Sequence, residues 1–80
     1  MAARADLVDW VYEAVKANEG IATIVQVATH IWENHESDLK KSGDLFYTWQ
    51  YDMRWAAQRL RDTGKFKPKS KSNRREWEII

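Results

Sequence analysis

The amino-acid sequence predicts an α+β fold in which three helices precede a small antiparallel sheet of two or three strands. Along three segments, apolar residues recur at intervals of three and four, which is the period of a helix with one buried face. After Gly64 the pattern changes to apolar residues that alternate with charged ones, as in a strand with one face on the core. The 80 residues suffice for one compact core and are too few for two. We therefore expect a single domain over residues 1–80.

The first two helices are predicted on either side of a short connector. The first spans about residues 6–18 and ends near Gly20, because glycine readily adopts the left-handed conformation that closes many helices. Residues 21–22 form a brief extended connector, and the side-chain oxygen of Thr23 can cap the next helix. This second helix spans about residues 24–35 and buries the apolar stripe of its periodic pattern.

The third helix follows a polar stretch. Residues 36–44 are rich in polar side chains and predict a loop, with one irregular helical turn around Leu39 as the alternative. The helix spans about residues 47–63 and is closed by Gly64, with Asp44 or Thr48 as its N-terminal cap. One side of it is predicted to be buried: Trp49, Met53, Ala56, Ala57 and Leu60. The two alanines on that side allow another helix to approach closely.

The C-terminal residues 65–80 predict a two-stranded hairpin. Apolar residues alternate with lysines in its first strand and with glutamates in its second, and residues 69–73 between them favour a turn. Pro68 cannot donate a backbone hydrogen bond, so it belongs at an edge of the sheet. Residues 21–22 supply the third strand if the sheet has three. A recognition-type helix followed by a charged hairpin, the wing, is the order of a winged helix-turn-helix.

Charge is distributed unevenly along the chain. The formal net charge is +1, yet residues 65–75 carry six basic side chains and no acid, a local charge of +6. Residues 1–64 hold seven basic and ten acidic side chains, a local charge of −3. A basic segment of this density indicates contact with nucleic-acid phosphates, which release counterions when they are neutralised. Its alternative role is to protect an exposed edge strand from pairing with other chains.

A family resemblance rests mainly on the last thirty or so residues. Its parts are Arg-Trp-Ala at residues 54–56, Leu60, Thr-Gly-Lys-Phe at residues 63–66, a basic turn, and Arg-Glu-Trp-Glu-Ile at residues 75–79. This pattern resembles the N-terminal winged-helix domain of Mrr-type restriction endonucleases and the wider HARE-HTH group. The resemblance implies a module that contacts DNA. In those endonucleases a separate domain carries the nuclease, and this chain ends at Ile80, so the resemblance gives no ground for nuclease activity.

Two sets of residues form the predicted nucleic-acid interface. The outward side of the third helix carries side chains that can read base edges or hold the backbone: Tyr47, Gln50, Tyr51, Arg54, Gln58 and Arg61. The hairpin carries cations that can follow phosphates: Lys65, Lys67, Lys69, Lys71, Arg74 and Arg75. For the helix, the alternative is an ordinary solvated face. For Trp55, beside this face, we weigh base stacking against packing on the wing with Trp77, and we favour packing.

Composition disfavours several other classes of function. Without cysteine the chain has no disulfide or thiolate zinc site, and the reducing cytoplasm is the expected compartment. No apolar run approaches the ~20 residues that span a bilayer, and residues 1–7 lack the apolar region of a secretory signal. His30 and Glu33 are three residues apart and could share a metal ion, but His35 points elsewhere, and two weak ligands do not make a metal site. No catalytic constellation is visible, so we expect neither an enzyme, nor a cofactor, nor a small-molecule substrate.

These observations lead to one functional expectation and one alternative. We expect a small, free-standing winged-helix protein that binds duplex DNA through its third helix and basic wing, in a regulatory or restriction-related role. Because one such module makes few contacts, tight binding would need a homodimer or a protein partner. The alternative is a protein-interaction adaptor, in which a winged-helix scaffold presents the acidic residues 1–64 to a basic partner.

Overall fold

The computed structural model describes residues 3–67 and 76–80. Its elements, in chain order, are α1 (Asp6–Ala17), β1 (Ile21–Thr23), α2 (Ile24–Lys40), α3 (Leu45–Asp62) and β2 (Glu76–Glu78). Three helices and a small antiparallel sheet form the predicted α+β fold. No helix within the described ranges is both long and apolar enough to cross a membrane.

The core lies where the apolar stripes of the three helices meet the inner face of the sheet. α1 and α3 pack against each other most extensively. All five residues predicted on the buried side of α3 are buried, and Ala56 and Ala57 are fully inaccessible to solvent. These small side chains let the backbones of the two helices approach closely. Phe66 and Trp77 close the core from the sheet side.

The predicted helix ends at Thr23 and Gly64 are confirmed in atomic detail. The Thr23 hydroxyl accepts a hydrogen bond from the Gln26 backbone N–H at 3.2 Å, and the Gln26 side chain accepts one from the Thr23 N–H at 2.8 Å. This reciprocal pair is a capping box. At the end of α3, Gly64 has a φ of +80°, and the next N–H, that of Lys65, donates to the Leu60 carbonyl at 2.9 Å.

α2 continues to Lys40, which corrects the predicted helix end at residue 35 and the first part, residues 36–40, of the predicted loop, while residues 41–44 connect the two helices. The helix bends at His35, whose φ of −130° and ψ of 16° are not helical. Beyond the bend, Leu39 is fully buried, and Glu36 pairs with Lys40 at 2.7 Å one turn away. The polar composition predicted a loop, but the burial of one leucine and an ion pair on the solvent side favour the helix instead.

α3 begins at Leu45, which corrects the predicted start near residue 47. Asp44 makes no side-chain capping hydrogen bond, and Thr48 lies inside the helix, where its hydroxyl donates to the Asp52 carboxylate at 2.8 Å. Neither predicted cap is therefore formed. Leu45 is only 8 % exposed, so its burial in the core determines where the helix starts.

The strand that contains β2 lies between two partners. It pairs antiparallel with β1 in a two-stranded sheet, with Ala22 opposite Trp77, so the pairing considered for residues 21–22 is present. On its other side Phe66 forms a bridge with Ile79, and the Lys67 N–H donates to the Glu78 carbonyl at 2.8 Å. The base of the predicted hairpin is thus present. Its tip, with Pro68, lies in residues 68–75, outside the described part of the chain.

Candidate nucleic-acid interface

The six residues predicted on the outward side of α3 lie on one solvent-facing stripe of the helix. Tyr47 and Tyr51 are 84 % and 77 % exposed, and Gln50, Arg54 and Gln58 are also exposed. From the first of these residues to Arg61 the stripe is about 21 Å long at 1.5 Å per residue. Because the opposite side of α3 is in the core, the helix presents this stripe from a rigid support.

The two ends of the stripe differ in whether their polar groups already interact within the protein. Toward the C-terminus, the Gln58 amide donates to the Asp62 carboxylate at 3.0 Å. Arg61 is partly buried, and this burial lowers the pKa of its guanidinium from the usual value. Toward the N-terminus, Gln50 and Arg54 make no hydrogen bond or ion pair with any other described residue. The N-terminal half of the stripe is therefore the part with donors available to a ligand.

On the side of the stripe that faces α1 lies a cleft of about 440 Å³, which we call the arginine flank. Its lining consists of Arg4, Tyr51, Asp52, Arg54 and Trp55. The Arg4 guanidinium lies over the Trp55 ring, 4.1 Å from its centroid, and that of Arg59 is 5.9 Å from the same centroid. Both distances are within the range of a cation–π contact.

The structure gives Trp55 two charged neighbours besides the core. Its ring packs against the core cluster and is within cation–π distance of the Arg4 and Arg59 guanidiniums, while its packing on the wing stays a prediction. Arg59 is one turn along α3, a neighbour that the sequence makes visible. Arg4 was not predicted, because no local pattern links it to a tryptophan so distant in the chain. A turn before α1 positions it, in which the Ala3 N–H donates to the Asp6 carboxylate at 2.8 Å.

On the side of the stripe that faces α2 lies a second groove, of about 510 Å³, which we call the aromatic flank. Its lining consists of Ala28, Thr29, Trp32, Glu33, Phe46, Trp49 and Gln50. The Trp32 ring stacks on Trp49 with centroids 6.0 Å apart and on Phe46 at 6.4 Å. Among these lining residues, Glu33 supplies the single formal charge. This groove is therefore apolar and weakly acidic.

The described part of the basic hairpin holds two of its six predicted phosphate contacts. Lys65 and Lys67 are both exposed, on either side of the buried Phe66, as the period of a strand requires. The Lys67 ammonium pairs with the Glu78 carboxylate at 2.9 Å, and that of Lys65 is 5.7 Å from the centroid of the Tyr12 ring. The other predicted contacts, Lys69, Lys71, Arg74 and Arg75, lie outside the described residues.

The two histidines on α2 have different neighbours. His35 stacks on Trp10, with ring centroids 4.0 Å apart and planes 8° from parallel, and its Nδ1 is 3.9 Å from the Asp38 carboxylate. His30 lines a separate cavity near the end of α1. Within the described ranges, no group of three or more His, Cys, Asp or Glu side chains is placed to hold a metal ion.

Comparisons with family models, with curated proteins and with solved structures find no match to this chain. The resemblance to the Mrr-type winged-helix domain therefore stays a prediction.

Proposed function

We propose that this chain is a winged-helix module that binds duplex DNA, with α3 in or beside the major groove and the basic hairpin on an adjacent backbone. The element order supports this assignment: a helix, a short strand, two further helices and a second strand that pairs antiparallel with the first. The observation that carries the proposal is the exposed stripe on α3, an amide, arginine and tyrosine surface supported by the core.

Each part of this surface suits a different component of DNA. The Gln50 amide and the Arg54 guanidinium present the donors that pair with adenine and guanine edges in the major groove. The exposed hydroxyls of Tyr47 and Tyr51 suit the sugar-phosphate backbone, to which most protein–DNA hydrogen bonds go. The cations of residues 65–75 suit phosphates, so we expect affinity to fall steeply as salt is added.

The size of the surface sets the expected strength of binding. A single module of this kind buries roughly 600 to 1,000 Å² of protein surface on DNA. Binding by one copy is therefore weak and largely electrostatic. A homodimer on two half-sites, or a larger complex, would supply the tight and specific recognition that one copy lacks.

A ¹⁵N-resolved titration with a short duplex, at low and at moderate salt, tests the proposal. We expect amide shifts concentrated in residues 47–61 and 65–75, which fade as the salt concentration rises. An absence of shifts at low salt would rule out DNA binding. Shifts that are unaffected by salt would contradict the electrostatic basis of the contact.

A charge-matched pair of variants tests the basic hairpin separately. Arg74→Glu with Arg75→Glu should abolish measurable duplex binding at moderate salt. The control, Lys16→Glu with Lys41→Glu, makes the same change of charge at two exposed positions that lie neither on α3 nor on the hairpin. Equal binding by the parent and the hairpin variant, with equal melting temperatures, would contradict the role of the hairpin.

The aromatic flank favours a second candidate function, a protein-interaction adaptor. Its stacked rings line an open groove beside the exposed Tyr47, and residues 1–64 carry an excess of acid. Tyrosine and tryptophan are enriched at protein interfaces. The titration separates the two candidates, because an adaptor of this kind would leave the amides unshifted when duplex DNA is added at low salt.

A further inference from the structure

From the geometry of the arginine flank we infer that it is a phosphate-binding site, which holds a DNA backbone on the side of α3 that faces α1. The inference rests on the proposed DNA binding and adds to it a contact that lies outside the predicted interface. Arg4 is the phosphate ligand, Trp55 positions it, and Arg54 supplies a second positive charge in the lining of the cleft. The site takes a phosphodiester of duplex DNA.

The charge at the flank favours an anion. Among the lining residues, the guanidiniums of Arg4 and Arg54 outnumber the single carboxylate of Asp52. A third guanidinium, that of Arg59, lies 5.9 Å from the centroid of the Trp55 ring. That carboxylate accepts a hydrogen bond from the hydroxyl of Thr48 on the same helix. A guanidinium presents a planar fork of N–H donors that matches two phosphate oxygens, and charge-assisted hydrogen bonds of this kind are stronger than neutral ones.

Stacking on Trp55 holds the Arg4 guanidinium in place before any ligand is present. Its guanidinium lies 4.1 Å from the centroid of the Trp55 ring, and the residue is exposed overall. A stacked guanidinium has one face on the indole, while its in-plane N–H groups stay available as donors. A long side chain that is already held in place loses less conformational entropy on binding than a mobile one.

The location of the cleft determines which part of the DNA it would meet. Tyr51 and Arg54 line the cleft and also belong to the outward stripe of α3. If the stripe enters a groove, a phosphate in the cleft belongs to the backbone that borders this groove on the α1 side. The aromatic flank, on the other side of α3, has Glu33 as its formal charge and would repel phosphates. The duplex therefore lies toward α1 and away from α2.

The simplest competing explanation is that Arg4 only secures the chain before α1 by stacking on Trp55. The two explanations differ in one measurable quantity, the slope of log K against log salt concentration. Each neutralised phosphate of B-DNA contributes about 0.9 to the magnitude of this slope, whereas a purely structural contact contributes nothing to it.

The test is the salt dependence of duplex binding by Arg4→Gln, with Lys16→Gln as the matched control. Both variants remove one positive charge from an exposed position near α1. We expect the magnitude of the slope to be smaller by about 0.9 for the Arg4 variant and to equal that of the parent for the control. A third variant, Arg4→Lys, keeps the charge and loses the fork, so we expect the parent slope with lower affinity.

The outcomes separate this inference from the proposed function. If the parent binds duplex DNA and Arg4→Gln keeps the parent slope, the phosphate site is wrong and the proposed function stands. If the parent does not bind, both are wrong. A second readout is the Trp55 indole N–H signal during titration with duplex or with inorganic phosphate at equal ionic strength. A shift with DNA supports the site, and an equal shift with inorganic phosphate would overturn the assignment to the DNA backbone.

Discussion

The two flanks of α3 each contain a tryptophan from that helix, yet the two side chains have different surroundings. On the aromatic flank, Trp49 is 5 % exposed and stacks on Trp32 of α2. On the arginine flank, Trp55 is only partly buried, and its ring is next to the guanidiniums of Arg4 and Arg59. One ring is part of the core, and the other supports charged groups at the surface.

The neighbouring element determines the chemistry at each border of this surface helix. α2 brings Trp32 and Glu33 to one border, and the turn before α1 brings Arg4 to the other. The two borders therefore carry opposite formal charge although they belong to the same helix. A polyanion that contacts the stripe between them is attracted to one side and repelled from the other, which gives the complex a preferred orientation.

The largest expected effect comes from truncating the two tryptophans in turn. Trp49→Ala should lower the free energy of unfolding by about 3 to 5 kcal/mol, because it leaves a cavity among the stacked rings of the core. Trp55→Ala should cost roughly half as much and should weaken duplex binding at temperatures where the variant is folded. Chemical denaturation and binding isotherms measure the two effects. If Trp55→Ala leaves duplex affinity unchanged, the proposed difference between the flanks is wrong.

A smaller effect is expected when one acid is neutralised on each flank. Asp52→Asn should raise duplex affinity roughly two- to threefold at low salt, since one charge acts on a nearby phosphate with about 0.5 kcal/mol across water. The Thr48 hydroxyl can still donate to the asparagine oxygen. Glu33→Gln, with the same change of charge on the aromatic flank, should raise affinity less than twofold. A larger gain from the Glu33 variant would place the duplex on the α2 side.

The smallest effect on stability is expected at the base of the hairpin, where Lys67 and Glu78 pair across the sheet. The side chains are 49 % and 29 % exposed, so water screens the pair, and Glu78→Gln should lower the free energy of unfolding by no more than about 0.5 kcal/mol, as measured by thermal unfolding. The variant leaves the Lys67 charge unpaired, so the magnitude of the slope of log K against log salt concentration should increase by up to about 0.9. An unchanged slope would indicate that Lys67 contacts no phosphate and serves the sheet alone.

Local signals in the sequence account for much of the fold. The apolar periodicity of α3 predicted its buried side residue by residue, and the cap at Thr23 and the left-handed Gly64 marked helix ends. Where the local pattern and the tertiary packing favour different structures, the prediction was wrong. Residues 36–40 are polar enough for a loop and are helical because Leu39 reaches the core. Packing of this kind depends on residues that are distant in the chain.

The sequence alone determined the α+β class, the outward stripe of α3 and the concentration of positive charge in residues 65–75, because periodicity, caps and charge density are local properties. What borders that stripe is a property of the tertiary structure. Arg4 meets Trp55, and Trp32 meets Trp49, because the close packing of α1 and α2 on α3 brings distant residues together. The orientation proposed for the DNA follows from those contacts, which no local pattern encodes.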